Sequence, residues 1–124
     1  MKETILLFNV TDKSKRFKIE MALFPLKVRV RYVGPEEYSQ RLGYLAGLKD
    51  VLKTASETET PGPSDTMLVF AFMDDAKLNQ ALAALRRSGA GPLPYKAILT
   101  PTNQFWTPLE CFEEIKKEHE SMHS

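Results

Sequence analysis

Two runs of apolar residues, Ile5-Leu6-Leu7-Phe8-Asn9-Val10 and Met67-Leu68-Val69-Phe70-Ala71-Phe72-Met73, constrain this chain more than anything else in it. Neither alternates as a strand with one wet face would, so each reads as a short strand buried on both sides. Such a strand needs a layer of structure above it and another below. Four helical patterns are available to provide them. The expected class is therefore α/β, a four-stranded sheet from two pseudo-repeated strand-helix-strand-helix units. An α+β ferredoxin-like sandwich is the alternative, with its open sheet face covered by a second copy.

The first unit occupies residues 1–53. Thr11-Asp12-Lys13-Ser14 holds cap-type residues, and Phe17, Met21 and Phe24 make the stripe expected to face the core. Pro25 ends that helix, because the residue before a proline is pushed out of helical geometry. In Leu26–Val33, Val28, Val30 and Tyr32 alternate with Lys27, Arg29 and Arg31, which predicts a half-wet strand towards an edge. Gly34-Pro35-Glu36-Glu37 then opens a second helix, with Tyr38, Leu42, Leu45 and Leu48 or Leu52 on its apolar side. Gly43 and Gly47 weaken that helix, yet their spacing permits close backbone packing.

Residues 54–65 read as a mobile linker loop, being rich in Thr, Pro, Gly and acids. The second unit is residues 66–124, and the whole of 1–124 makes a single domain. After the Met67–Met73 strand, Asp74-Asp75 caps a helix with Leu78, Ala81, Leu82 and Leu85 on its buried side, ended by Gly89. Lys96-Ala97-Ile98-Leu99-Thr100 is the fourth strand, read as short and buried. Thr107-Pro108-Leu109-Glu110 is a capping box with proline at the first helical position. Trp106, the only tryptophan, stands just before it. The two units echo each other, since Pro35-Glu36-Glu37-Tyr38 resembles Pro108-Leu109-Glu110-Cys111-Phe112.

The stretch Lys96-Ala-Ile-Leu-Thr-Pro-Thr-Asn-Gln-Phe-Trp-Thr, within a segment from about Met67 to His119, resembles a small bacterial family of unknown function. That family is marked by a Lys-Ala-x-x-Thr-Pro-Thr-Asn-x-x-Trp signature followed by an acidic helix. The resemblance implies a bacterial source and carries over no catalytic or binding roles.

Charge narrows the partners. The net charge is only +1, against a dedicated polyanion binder. Its distribution is uneven: residues 1–53 hold 11 Lys or Arg against 6 Asp or Glu, and residues 54–124 hold 6 against 10. Opposed halves favour contact between halves or between copies. The single Cys111 permits no internal disulfide and suits a reducing cytoplasm. No apolar run approaches the about 20 residues of a membrane helix, and the N-terminal apolar run is too short for a signal peptide.

Four groups of residues are candidates for chemistry. Thr100, Thr102, Asn103 and Trp106 at the end of the fourth strand could hold a small molecule or anion; the competing reading is that they shape the turn. Lys27, Arg29 and Arg31 form a basic stripe open to nucleic acid, but Tyr32 lies on the opposite face from them, which favours a solvated or ion-paired face. His119-Glu120-Ser121-Met122-His123 has the spacing of a zinc-protease helix, yet no third ligand follows, so His119 and His123 support adventitious metal binding only. Cys111 sits in a first helical turn, where a dipole can lower a thiol pKa, and has no base beside it in sequence; it reads as a packed thiol.

No triad, phosphate loop or credible metal set appears, and no cofactor is implied. The expectation is a non-enzymatic protein-interaction or regulatory module acting in the cytoplasm through self-association or another protein. The alternative is a small-molecule or anion sensor, or an enzyme, using the Thr100–Trp106 turn.

Overall fold

The computed structural model describes residues 2–55 and 59–123. At its centre β1 (Thr4–Phe8) pairs antiparallel with β3 (Met67–Ala71), Leu6 opposite Val69. Each is flanked by the strand its own unit adds: β2 (Arg29–Val33) runs parallel to β1, and β4 (Tyr95–Ile98) runs parallel to β3. The sheet order is β2-β1-β3-β4. Two strand-helix-strand units thus meet back to back along the β1–β3 seam.

The alternation of side chains decides the layers. Ile5, Leu7, Leu68 and Phe70 point to one face and share a buried cluster with Ile19 and Leu23 of α1 (Lys13–Leu23) and Ala81 and Leu85 of α3 (Asp75–Arg87). Leu6, Phe8, Met67, Val69 and Ala71 point to the other and pack under α2 (Leu42–Ala46) and α4 (Pro108–His123), where Cys111 and Phe112 join them. Both central strands are fully buried, so the sheet is covered on both sides rather than open as in the ferredoxin-like alternative.

Three of the four helices start on the residues that should start them. Asp12 accepts from the Ser14 and Lys15 amides at 2.7 and 3.1 Å, and Asp74 accepts from the Lys77 amide at 2.7 Å. The Thr107 amide donates to Glu110 Oε1 at 3.0 Å while the Glu110 amide donates to Thr107 Oγ1 at 3.3 Å, a complete capping box.

The face of α1 is a correction. Phe17, Met21 and Phe24 do not enter the core: they are 62, 58 and 81% exposed. The buried line is Ile19 and Leu23, with Leu26 packed against the same cluster. Both sets have the spacing i, i+4, i+7, so periodicity cannot choose between them. The second helix also differs. Pro35–Glu37 forms one 3-10 turn, the chain bends, and α2 covers only Leu42–Ala46 before Gly47 ends it with φ of 101°. Tyr38, Leu42 and Leu45 are buried as expected, whereas Leu52 is exposed and Val51 takes the inward place. The close approach falls at Gly43, where an added Cβ would lie 2.7 Å from Val51 Cγ2 and 3.0 Å from the Gln104 carbonyl oxygen.

The loop after α2 is anchored at both ends. The Gln40 amide brackets Thr54, donating to its carbonyl at 2.9 Å and accepting from its N–H at 2.7 Å. Asn9 Nδ2 donates to the Pro63 carbonyl at 3.3 Å, and Pro63 is buried. Residues 56–58 lie outside the described residues.

The corrected face of α1 gives a direct test. Ile19→Ala should cost about 2–4 kcal/mol, because a fully buried branched side chain leaves a cavity. Phe17→Ser should move stability by about 0.5 kcal/mol or less. Urea denaturation of both variants checks the assignment; similar losses would mean that Phe17 is packed.

Candidate functional site

The outer edge of β4 is where the structure leaves most undone. β4 alternates half-buried and exposed residues, with Tyr95 and Ala97 towards α4 and Lys96 and Ile98 outward on the α3 side. It is therefore an edge strand and not the buried strand expected from its composition. The Leu99 amide donates to the Phe70 carbonyl at 2.9 Å, so Leu99 turns its backbone groups to β3. By alternation Tyr95 and Ala97 do the same, and Lys96 and Ile98 direct theirs away from the sheet.

A cleft of about 480 Å³ runs over this edge. One wall is α3, through Leu78 and Leu82; the other is α4, through Ile115, with Trp106 at the end. Ile98 stands between them, 51% exposed. The charged residues on the rim are Lys96, Glu114 and Glu118. Tyr95 holds α4 in place, its ring 5.0 Å from Phe112 and 5.6 Å from His119.

Three of the four predicted small-molecule residues, Thr100, Asn103 and Trp106, line this cleft; Thr102 is exposed on the turn and does not. Asn103 is buried and its amide closes the turn. Its Oδ1 accepts from the Thr100 amide at 2.8 Å, and its own N–H donates to Thr100 Oγ1 at 3.0 Å. Its Nδ2 donates to the Ile98 carbonyl at 2.9 Å. That carbonyl is one of the outward-facing groups of β4, so Asn103 also marks where the open edge stops. Trp106 packs against the core beneath α2 and α4, and its carbonyl accepts from the Leu42 amide at 2.9 Å, joining the turn to the first unit.

The other predicted groups are dispersed. Arg31 donates to the Leu45 carbonyl and, at 2.7 Å, to Glu37; Arg29 donates to the Ala46 carbonyl at 3.2 Å. Both guanidinium groups thus satisfy the carbonyl end of α2, where cations are favoured. Lys27 stands apart in a left-handed turn with φ of 58°. His119 packs against Tyr95, and the side chain of His123 lies outside the described residues. Among the described residues no group of three or more His, Cys, Asp or Glu side chains could hold a metal ion, and no helix is long and apolar enough to cross a membrane. Cys111 is buried, and burial, with a smaller push from the Glu118 carboxylate, raises its thiol to about 12. Desolvation outweighs any pull from the helix start.

Leu78, Leu82 and Ile98 are lining residues that the sequence assigns to the core. A signal was present in the single lysine of Tyr95-Lys96-Ala97-Ile98, since a lysine within an otherwise apolar strand is one way sheets mark an edge.

Two measurements follow. Asn103→Ala strands the Thr100 amide and the Ile98 carbonyl and should cost about 2–3 kcal/mol in chemical denaturation, with Thr102→Ala nearly neutral. The Cys111 thiol should react with a disulfide reagent at mildly alkaline pH only as fast as the chain opens, so labelling should accelerate sharply in denaturant. Fast labelling of the native protein would contradict the burial.

No curated protein and no solved structure matches this chain. Residues 66–122, just under half of the chain, match the family described as a domain of unknown function (DUF3783), and that segment contains β3, α3, β4, all but the last residue of α4 and every residue lining the cleft.

Proposed function

We propose that the chain is a non-enzymatic protein-interaction module of the cytoplasm and that it self-associates through β4. The observation that carries this reading is the open edge: the N–H and C=O of Lys96 and the N–H of Ile98 face away from the sheet between apolar walls. Unpaired edges of that kind are templates for another strand. The opposite edge contrasts with it. On β2 the arginines fold back on α2, and Tyr32 bonds Glu20 at 2.8 Å beneath the Arg16 guanidinium. One edge is covered by polar side chains that bond back to the fold, and the other lies between apolar walls with its charges at the rim.

Geometry narrows the register. Two copies related by a two-fold axis normal to the sheet pair β4 antiparallel and keep each face on its own side. Hydrogen-bonded pairs must join outward-facing residues, which are Lys96 and Ile98. Pairing Lys96 with the partner's Lys96 places like charges opposite each other and is disfavoured. Pairing Lys96 with the partner's Ile98 avoids this and sets Ala97 on the axis, where its small side chain permits close approach. Each Ile98 amide then donates to the partner's Lys96 carbonyl. Ile98 also gains apolar cover.

Ile98→Pro separates assembly from folding. The lost N–H points outward, so the β3–β4 ladder is kept and proline is tolerated there. Light scattering should show a dimer for the native chain and a weakening by about ten- to a hundredfold for Ile98→Pro, with unchanged circular dichroism. Ile98→Lys, which sets lysine against lysine, should act in the same direction. A native chain that stays monomeric at high concentration would sink the reading.

The cleft also supports a second reading, a small apolar metabolite lodged beside Thr100, Asn103 and Trp106, which line it together. Under that reading a metabolite raises the melting temperature, and does so in the Ile98→Pro variant as well.

A further inference from the structure

We propose that the surface formed by α1 and α3 is a second docking site, taking an acidic amphipathic helix from another protein. It is distinct from the β4 edge and does not rest on it. Phe17, Met21 and Phe24 form a ridge along the outer side of α1, each more than half exposed, and at one helical spacing. Between α1 and α3 lies a trough of about 460 Å³ lined by the small residues Ala22, Ala83 and Ala84, by Pro25 and Leu26 just after Phe24, and by the polar Asn79, Gln80 and Arg87 of α3. Small lining residues let a neighbouring backbone come close, and a ridge at i, i+4, i+7 matches the anchor spacing of a helix laid alongside.

Charge selects the occupant. Lys13, Lys18 and Lys27 border the ridge, and none of them, nor Arg87, has an ion pair among the described residues. The only acid in α1, Glu20, accepts from Tyr32. Arg16 is engaged by the Val10 carbonyl at 2.6 Å and by the Tyr32 ring. What remains is an apolar ridge in a cationic frame, complementary to a helix with large apolar residues on one side and carboxylates flanking them. A second copy does not supply one: the acidic helix of this chain, α4, already buries Cys111 and Phe112 under its own sheet.

The test uses the full chain and a labelled synthetic helix of leucines flanked by glutamates, followed by fluorescence anisotropy. Saturable binding is expected. Phe24→Ala and Met21→Ala should each weaken it by about tenfold, and replacing the glutamates by glutamine should weaken it and flatten its salt dependence. Both side chains are exposed, so the variants should fold as the native chain does. Their dimer mass should be unchanged, which keeps this result separate from the β4 reading. The proposal is overturned if the glutamate peptide fails to saturate, or if Phe24→Ala binds it as the native chain does. It is equally overturned if a single-stranded oligonucleotide or phosphatidylserine vesicles bind the ridge and the peptide does not displace them, or if Phe24→Ala abolishes dimerisation.

Discussion

The antiparallel seam between β1 and β3 is the interaction on which the molecule depends. Five residues from each strand are paired there and all ten are buried. Because β1 and β3 run in opposite directions, each unit adds its second strand on its own outer side, and right-handed crossovers place α1 and α3 on one face. The closing helices, α2 and α4, fall to the other face. The layer arrangement therefore follows from the pairing of two apolar segments, without requiring the helices to recognise each other first. It also leaves two lateral edges, one per unit, which the chain has finished differently.

That seam was legible in the sequence because a run buried on both sides has no alternation to misread. The caps were legible for a similar reason: Asp12, Asp74 and the Thr107–Glu110 pair act on amides two or three residues away and owe little to the rest of the fold. What the sequence did not resolve were choices that depend on distant partners. In α1 two apolar lines share one period, and the inward line is chosen because Arg16 reaches the Val10 carbonyl and Ile19 and Leu23 meet Ile5 and Leu7. In β4, Ile98 looks like core until the sheet order makes its strand the last one. In the second helix, the bend between Tyr38 and Leu42 answers to Trp106, whose carbonyl takes the Leu42 amide.

The turn after β4 illustrates how a local motif acquires a wider role. Thr100 and Asn103 exchange hydrogen bonds across three residues, a device that needs no ligand. Yet the second Asn103 group reaches back to the Ile98 carbonyl, an atom that faces out from the sheet. One residue therefore shapes the corner, accepts from the Trp106 amide on its backbone carbonyl at 2.9 Å, and through its side chain limits how far an added strand could pair. A turn signature and an edge signature coincide because the corner lies at the end of an edge strand.

The two proposed surfaces have a geometric relation that follows from the symmetry. A two-fold axis normal to the sheet preserves faces, so pairing through β4 extends the sheet laterally and leaves α1 and α3 of both copies on the same side. The two ridges would then point the same way on one eight-stranded platform. A partner carrying two acidic helices on a linker of matching span would engage both, and avidity of roughly 10²–10⁴ over a single site is available to such an arrangement. Were the axis instead in the plane of the sheet, the ridges would face opposite ways and that gain would vanish. Edge pairing of antiparallel strands admits only the first, so a partner with two such helices would sense whether β4 is paired, whereas a single helix would not, even though the two sites share no residue.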